Sequence, residues 1–249
     1  MTVIGEELTA DAYPYELPDH WIMNPEKATN HFAIVHDAYV RRVVEIVKYK
    51  GAHSVIEVGC GDGWNCGKLV EAGMQVVGTD WSQNGIKYAT MLVPGGTFYC
   101  GDIRSDEFRQ QFPHQFDAAI FVEVLEHIPP ADCVDALNNI ADTIKSGGTL
   151  VLTTPSTNKV NNDTRHYRHF DEAVIRQLVA QTRGLVIESI EGYGDMPYVN
   201  RMYRKLRWVE NRLYSIKPLR KRILDEFRHH CLHTTLDRCE GLIVTMTKK

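Results

Sequence analysis

Between positions 25 and 50, apolar residues recur at three- and four-residue steps. Phe32, Val35, Tyr39, Val43 and Ile46 share one face at the α-helical period, so the pattern predicts an amphipathic helix from Pro25 to Lys50. Downstream, short β-rich runs alternate with helical stretches. Strands are predicted at 54–58, 75–79, 97–100, 117–122, 149–154, 185–190 and 242–247. Helices are predicted at 64–72, 83–92, 131–144 and 171–181, with Gly147 and Gly148 closing the third of these. Residues 1–20, with Pro14 and Pro18 and few periodic apolar positions, read as a loosely packed arm.

Strands that alternate with helices pair in parallel through right-handed crossovers and carry helices on both faces. The fold class is therefore α/β. In such a sheet ligands bind beyond the carboxyl ends of the strands, where strand order reverses. The loops after each strand are the places to look for chemistry.

The most informative loop follows the first strand: Glu57-Val58-Gly59-Cys60-Gly61-Asp62-Gly63. Glycine tolerates left-handed dihedrals and lets a ligand approach the backbone, and the amides of the next helix point into the same space. A dinucleotide loop would need a small residue where Trp64 stands, and Glu57 would repel a pyrophosphate. That weighs against a nicotinamide-dependent oxidoreductase. The E-x-G-x-G-x-G run resembles the glycine loop of class I S-adenosylmethionine-dependent methyltransferases. Further segments resemble that family in the same order: Asp80-Trp81 after the second strand, Gly101-Asp102-Ile103 after the third, Glu123-Val124-Leu125-Glu126-His127 after the fourth, and Ile144-Lys145-Ser146-Gly147-Gly148 before the fifth, with Ser146 where proline is usual.

The resemblance implies a seven-stranded Rossmann-like methyltransferase sheet with an antiparallel last strand. It spans residues 27–191 and resumes at 241. The domain would run from 27 to 249 behind an arm at 1–26, with a basic helical insertion at about 192–240. S-Adenosylmethionine would be held by Glu57, Gly59, Gly61, Gly63, Asp80, Trp81, Asp102, Ile103 and Glu123. In that reading Asp80 accepts the ribose hydroxyls, Trp81 lies against the adenine, and Asp102 takes the adenine amine.

Two loops supply candidate bases for the methyl acceptor: His127 after the fourth strand and His166, in Arg165-His166-Tyr167-Arg168-His169-Phe170, after the fifth. Glu123, Glu126, His127 and His166 together resemble the Mg²⁺-binding set of small-RNA 2′-O-methyltransferases and of some ubiquinone-pathway O-methyltransferases, so Mg²⁺ enters as a candidate cofactor. The expected reaction is O-methylation of a small molecule. Loosely similar surface-glycan and sugar methyltransferases suggest a sugar hydroxyl and an anionic or sugar-containing substrate. An RNA 2′-O-methyltransferase, an NAD-dependent oxidoreductase and a non-catalytic binding protein are the alternatives.

Composition narrows the setting. The 249 residues carry 28 Lys and Arg against 32 Asp and Glu, a net charge of −4, with 43% hydrophobic residues. These are globular values. The charge is uneven: residues 201–231 hold ten Lys and Arg and three acids, with Tyr203, Trp208, Tyr214 and Phe227 interleaved. This stretch reads as a solvated helix pair packed on the core or on a second subunit, which leaves a homodimer open. A cationic lid for a phosphorylated substrate, an anionic-lipid contact and a nucleic-acid contact are its other readings, and no DNA-reading module is visible. The six cysteines lack paired spacing and read as reduced thiols of a cytoplasmic protein. His229, His230, Cys231, His233 and Cys239 match no common zinc spacing. No apolar run is long enough for a transmembrane segment, and the acidic N-terminus is not a signal peptide.

Overall fold

The computed structural model describes residues 15–23, 31–195 and 217–249. Its centre is a seven-stranded sheet: β1 (Ser54–Val58), β2 (Gln75–Asp80), β3 (Gly96–Cys100), β4 (Phe116–Val122), β5 (Ile144–Pro155), β6 (Leu185–Asp195) and β7 (Cys239–Lys248). The strand order is β3-β2-β1-β4-β5-β7-β6. The first five strands pair in parallel, and β7 runs antiparallel between β5 and β6. The chain leaves β1 toward β2 and later returns to place β4 on its other side. The order therefore reverses between β1 and β4, and the loops after these two strands flank one crevice.

The period of two along each strand splits the core. In β4, Ala119 and Phe121 face one layer while Ala118, Ile120 and Val122 face the other. The first layer is filled by α5 (Asp106–Gln111), α6 (Cys133–Thr143) and α7 (Glu172–Val179), with Leu137, Ile140 and Phe170 fully buried. The second is filled by α2 (His31–Tyr49), α3 (Trp64–Glu71) and α8 (Lys217–Leu232), with Val43, Val47, Leu69 and Phe227 fully buried. Among the described residues the other helices are α1 (Asp19–Ile22), on the N-terminal segment, α4 (Gln83–Leu92) after β2, and a 3-10 turn at Leu125–His127 after β4.

Several local readings change. The predicted helix at 131–144 ends at Thr143, because Ile144 already pairs with Phe116. Gly147 sits at φ 76° in the irregularity before Ala118 pairs with Thr149, so the glycines turn a strand and do not cap the helix. α5 was not foreseen, and β6 runs five residues past its predicted end. The arm is not loose at 15–23. The basic stretch meets the described residues only from 217 onward, where α8 docks on α2 through Arg228, whose Nη2 lies 2.8 Å from the buried Asp37 carboxylate. Arg201, Arg204, Lys205, Arg207 and Arg212 lie outside the described residues, as do 1–14 and 24–30. Among the described residues no helix is long and apolar enough to cross a membrane. All six cysteines are free thiols.

Candidate active site

The glycine loop is built by its backbone. Gly59, Gly61 and Gly63 all adopt left-handed φ, at 76°, 52° and 80°. The amides of Gly59 and Cys60 both donate to the Thr79 carbonyl, at 2.7 and 2.9 Å, which ties the loop to the end of β2. A Cβ on Gly59 would come within 2.4 Å of Val124 Cγ2. Gly59→Ala should therefore lower stability by about 1–2 kcal/mol through dihedral strain and overpacking, read as a reduced thermal midpoint without ligand.

Asp80 stands at the end of β2, buried, with Oδ2 accepting from the Gly61 amide at 2.9 Å and Oδ1 from the Ser82 amide at 2.8 Å. Burial raises its carboxyl pKa against those two bonds. Trp81 beside it is 38% exposed. Asp102 meets Arg104 in a fork, with Nη2 2.7 Å from Oδ2. Burial pushes this carboxyl up, but the guanidinium prevails and holds it below the usual range. Ile103 is buried, and its carbonyl accepts from Asn139 Nδ2 at 2.8 Å.

Glu57 lies under the loop and is fully buried. Its oxygens accept from Asn65 Nδ2 at 2.7 Å and Cys66 Sγ at 2.9 Å. Burial raises its pKa to about 7. The neighbouring Asn65 Oδ1 is buried without a partner among the described residues.

The crevice's other wall is the loop after β4. Glu123 sits at φ 54°, a strained position for a residue with a side chain. Its Oε1 accepts from Thr153 Oγ1 and from the Tyr193 hydroxyl, both at 2.9 Å. Glu126 is buried beside it, and burial, reinforced by the Glu123 carboxylate, lifts its pKa well above the usual carboxyl range. The loop after β5 is drawn onto this one. The Tyr167 amide donates to the Glu126 carbonyl at 2.8 Å, and fully buried Phe170 bonds through its amide to the Pro155 carbonyl.

That contact brings three histidines together. A carbonyl only accepts, so His169 Nδ1 donates to the Lys159 carbonyl at 2.9 Å. His166 Nδ1 lies 3.1 Å from His169 Nε2, and His166 Nε2 lies 3.7 Å from Asp163 Oδ2. His127 Nδ1 donates in the same way to the Arg165 carbonyl at 3.3 Å. The ring centroids of His127 and His166 lie 4.6 Å apart. Burial lowers both pKa values, His166 to about 4. Donor atoms of Glu126, His127 and His166 lie within 4.8 Å of one another. Glu123 is not part of that group.

The sequence reading missed several residues. Asn65, Cys66, Arg104, Tyr193, His169 and Glu240 all touch or face the residues it named. Glu240, on β7, is buried, and its pKa is raised by burial and offset by Lys159. Its proximity arises from strand pairing across the sheet, which no local pattern carries.

A doubly wound sheet whose first loop is a glycine turn, with acids after β2 and β3, places a ligand crevice at the carboxyl ends of the strands. Residues 31–187 match the methyltransferase-domain family, which is well over half of the chain. The chain belongs to that family, with the class I S-adenosylmethionine-dependent fold. It is 29% identical over 134 residues to a ubiquinone biosynthesis O-methyltransferase of Pseudomonas paraeruginosa, covering 52% of this chain and 56% of that protein. The chain thus spans little more than half the length of that curated relative. A ubiquinone biosynthesis O-methyltransferase of Xanthomonas euvesicatoria is 25% identical over 213 residues, covering 78% of this chain and 87% of the relative. Among solved structures, magnesium protoporphyrin IX methyltransferase from Synechocystis with bound S-adenosylmethionine superposes over 100% of both chains with a TM-score of 0.62 at 17% identity. At that identity the likeness is one of fold.

Proposed function

We propose that the protein transfers a methyl group from S-adenosylmethionine to a hydroxyl oxygen of a small molecule. The observation that carries the reading is the His127 and His166 pair, ring centroids 4.6 Å apart, on the loops after β4 and β5 that face the glycine turn across the crevice. A sulfonium methyl is already activated, so the protein has to align the two partners and take the acceptor's proton. Neutral imidazoles suit that task.

The residues present fit the cofactor. Asp80 offers two carboxylate oxygens at fixed separation for a cis-diol, and Trp81 offers an open ring face for the adenine. Asp102 and Ile103 stand at the adenine end, where Arg104 has to release the Asp102 carboxylate. Glu57 and the unpartnered Asn65 Oδ1 suit an ammonium behind Gly59, Gly61 and Gly63. Glu123 lines the wall between donor and acceptor.

A metal-assisted version of the same reading uses Glu126, His127 and His166, with the ion binding the acceptor hydroxyl and lowering its pKa. Two imidazoles and one carboxylate suit a transition ion better than Mg²⁺. A sugar or glycan precursor is the acceptor we favour, because its secondary hydroxyls need such activation. A cytoplasmic location and a homodimer accompany this reading.

Calorimetry with S-adenosylhomocysteine, followed by transfer of labelled methyl from the cofactor into fractionated extract, tests it. Micromolar binding and label in alkali-stable small molecules are expected. Absence of binding, or label in RNA, overturns it. Turnover that survives EDTA removes the metal-assisted version alone.

A further inference from the structure

The segment 15–23 builds little of the core: Leu17 and Ile22 on it are both 57% exposed. Its inward side chains converge on the middle of the glycine loop. The Tyr15 ring fills the space left by two glycines. Its hydroxyl stands 2.1 Å from where a Cβ of Gly61 would be, and its Cδ2 3.3 Å from where a Cβ of Gly85 would be. The Glu16 carbonyl accepts from the Tyr88 hydroxyl of α4 at 2.8 Å.

Asp62, 1% exposed, is the hub. Its Oδ2 accepts from the His20 amide at 3.0 Å, and its Oδ1 lies 3.1 Å from His20 Nδ1. Its carbonyl accepts from Trp21 Nε1 at 3.0 Å. Trp21 packs edge-on against Trp64 at 5.0 Å and over Gly67, and His20 stacks on His36 of α2 at 4.9 Å. Nine residues thus bridge α4, the glycine loop, α3 and α2.

We propose that residues 15–23 form a clasp that completes the cofactor site, with Tyr15 a binding residue above Gly61 and with His20 and Trp21 positioning residues that hold the loop through Asp62. The proposal rests on the reading of the crevice as an S-adenosylmethionine site. A loop of three left-handed glycines loses much conformational freedom when a ligand orders it. A clasp that orders it beforehand removes part of that cost from binding. A phenol above Gly61 also offers a hydroxyl donor at the amino-acid end of such a ligand. The clasp must open for exchange, so it governs the dissociation rate as well as the affinity.

The test uses the full chain and S-adenosylhomocysteine. Tyr15→Ala, His20→Ala and Trp21→Ala should each weaken binding at least fivefold, chiefly by faster dissociation. His20→Gln, which keeps a donor toward Asp62, should recover most of the loss. Leu17→Ala, on the exposed side, should bind as the wild type does. In hydrogen exchange, bound ligand should slow the amides of residues 15–23 in the wild type. A wild type that binds no S-adenosylhomocysteine overturns the cofactor reading itself. A wild type that binds normally, with all three alanine variants unchanged, overturns the clasp alone. Tighter binding by Tyr15→Ala also overturns it, since Tyr15 would then be a plug. A His20→Gln variant as weak as His20→Ala, with equal thermal midpoints, removes the positioning role of His20.

Discussion

Replacing His127 and His166 together by alanine should lower methyl transfer by 10²- to 10⁴-fold, the usual worth of a positioned general base, while leaving S-adenosylhomocysteine affinity within about twofold of wild type. The two histidines lie across the crevice from the loop that takes the cofactor, so their removal touches the acceptor side alone. The single variants should differ. His166 is held at a pKa of about 4 by burial and by the neighbouring His127, which makes it a poor proton acceptor alone. His127 is lowered by burial but bonded through Nδ1 to the Arg165 carbonyl, which favours its protonated form. His127→Ala should therefore carry most of the loss, and His166→Ala about tenfold. Initial rates at saturating labelled cofactor and acceptor measure this. Equal rates in the double variant and the wild type would remove both histidines from the chemistry.

What the sequence revealed divides by the range of the interaction involved. The glycine loop was legible because Gly59, Gly61 and Gly63 occupy left-handed dihedrals that other residues resist. The start of α4 was legible because Ser82 caps it locally, its Oγ accepting from the Gly85 amide at 3.1 Å. The alternation in β4 was legible because it divides two apolar layers. α5 was too short to show a period, although Ser105 caps it at Phe108. The end of β6 was obscured because Gly192 and Gly194 interrupt its β-rich run. They continue the strand because β7 packs so closely that a Cβ on Gly192 would meet Cys239 at 2.8 Å. The candidate histidines could be named, but not the tautomer of His127, which depends on the Arg165 carbonyl brought in by the β5 loop. The expected four-residue metal set lost Glu123 for a comparable reason: Tyr193, 70 positions away, takes its carboxylate. Residues 15–20 of the arm depart from the loose reading because their contacts skip some 40 residues to reach Asp62.

Glu57→Gln should stabilise the protein strongly at pH 8 and hardly at all at pH 4. Glu57 is fully buried on the α3 side of β1, and burial lifts its pKa from 4.5 to about 7. The folded state thus holds a proton between those values that the unfolded state has released. Stability contributed by this group is fully present below pH 4.5 and lost as pH rises toward 7. It stays lost above, by about 3 kcal/mol at 1.36 kcal/mol for each pKa unit. Glutamine carries no charge to desolvate, so that loss is absent from the variant. Its amide also fits the site: with Asn65 it can form a reciprocal pair that satisfies the orphaned Oδ1. Thermal midpoints should therefore differ by about 6–12 °C at pH 8, given 2–4 °C for each kcal/mol in a domain of this size, and converge near pH 4. A pH-independent difference would show that Glu57 titrates normally. The same carboxyl is proposed to meet the cofactor's ammonium, which favours its ionised form beyond what His20 alone does. Binding of S-adenosylhomocysteine to the wild type near pH 6.5 should then release a proton from Glu57, visible as a dependence of the calorimetric enthalpy on buffer ionisation heat. Glu57→Gln should bind more weakly and lose that dependence, so one substitution would raise stability at alkaline pH and weaken cofactor binding.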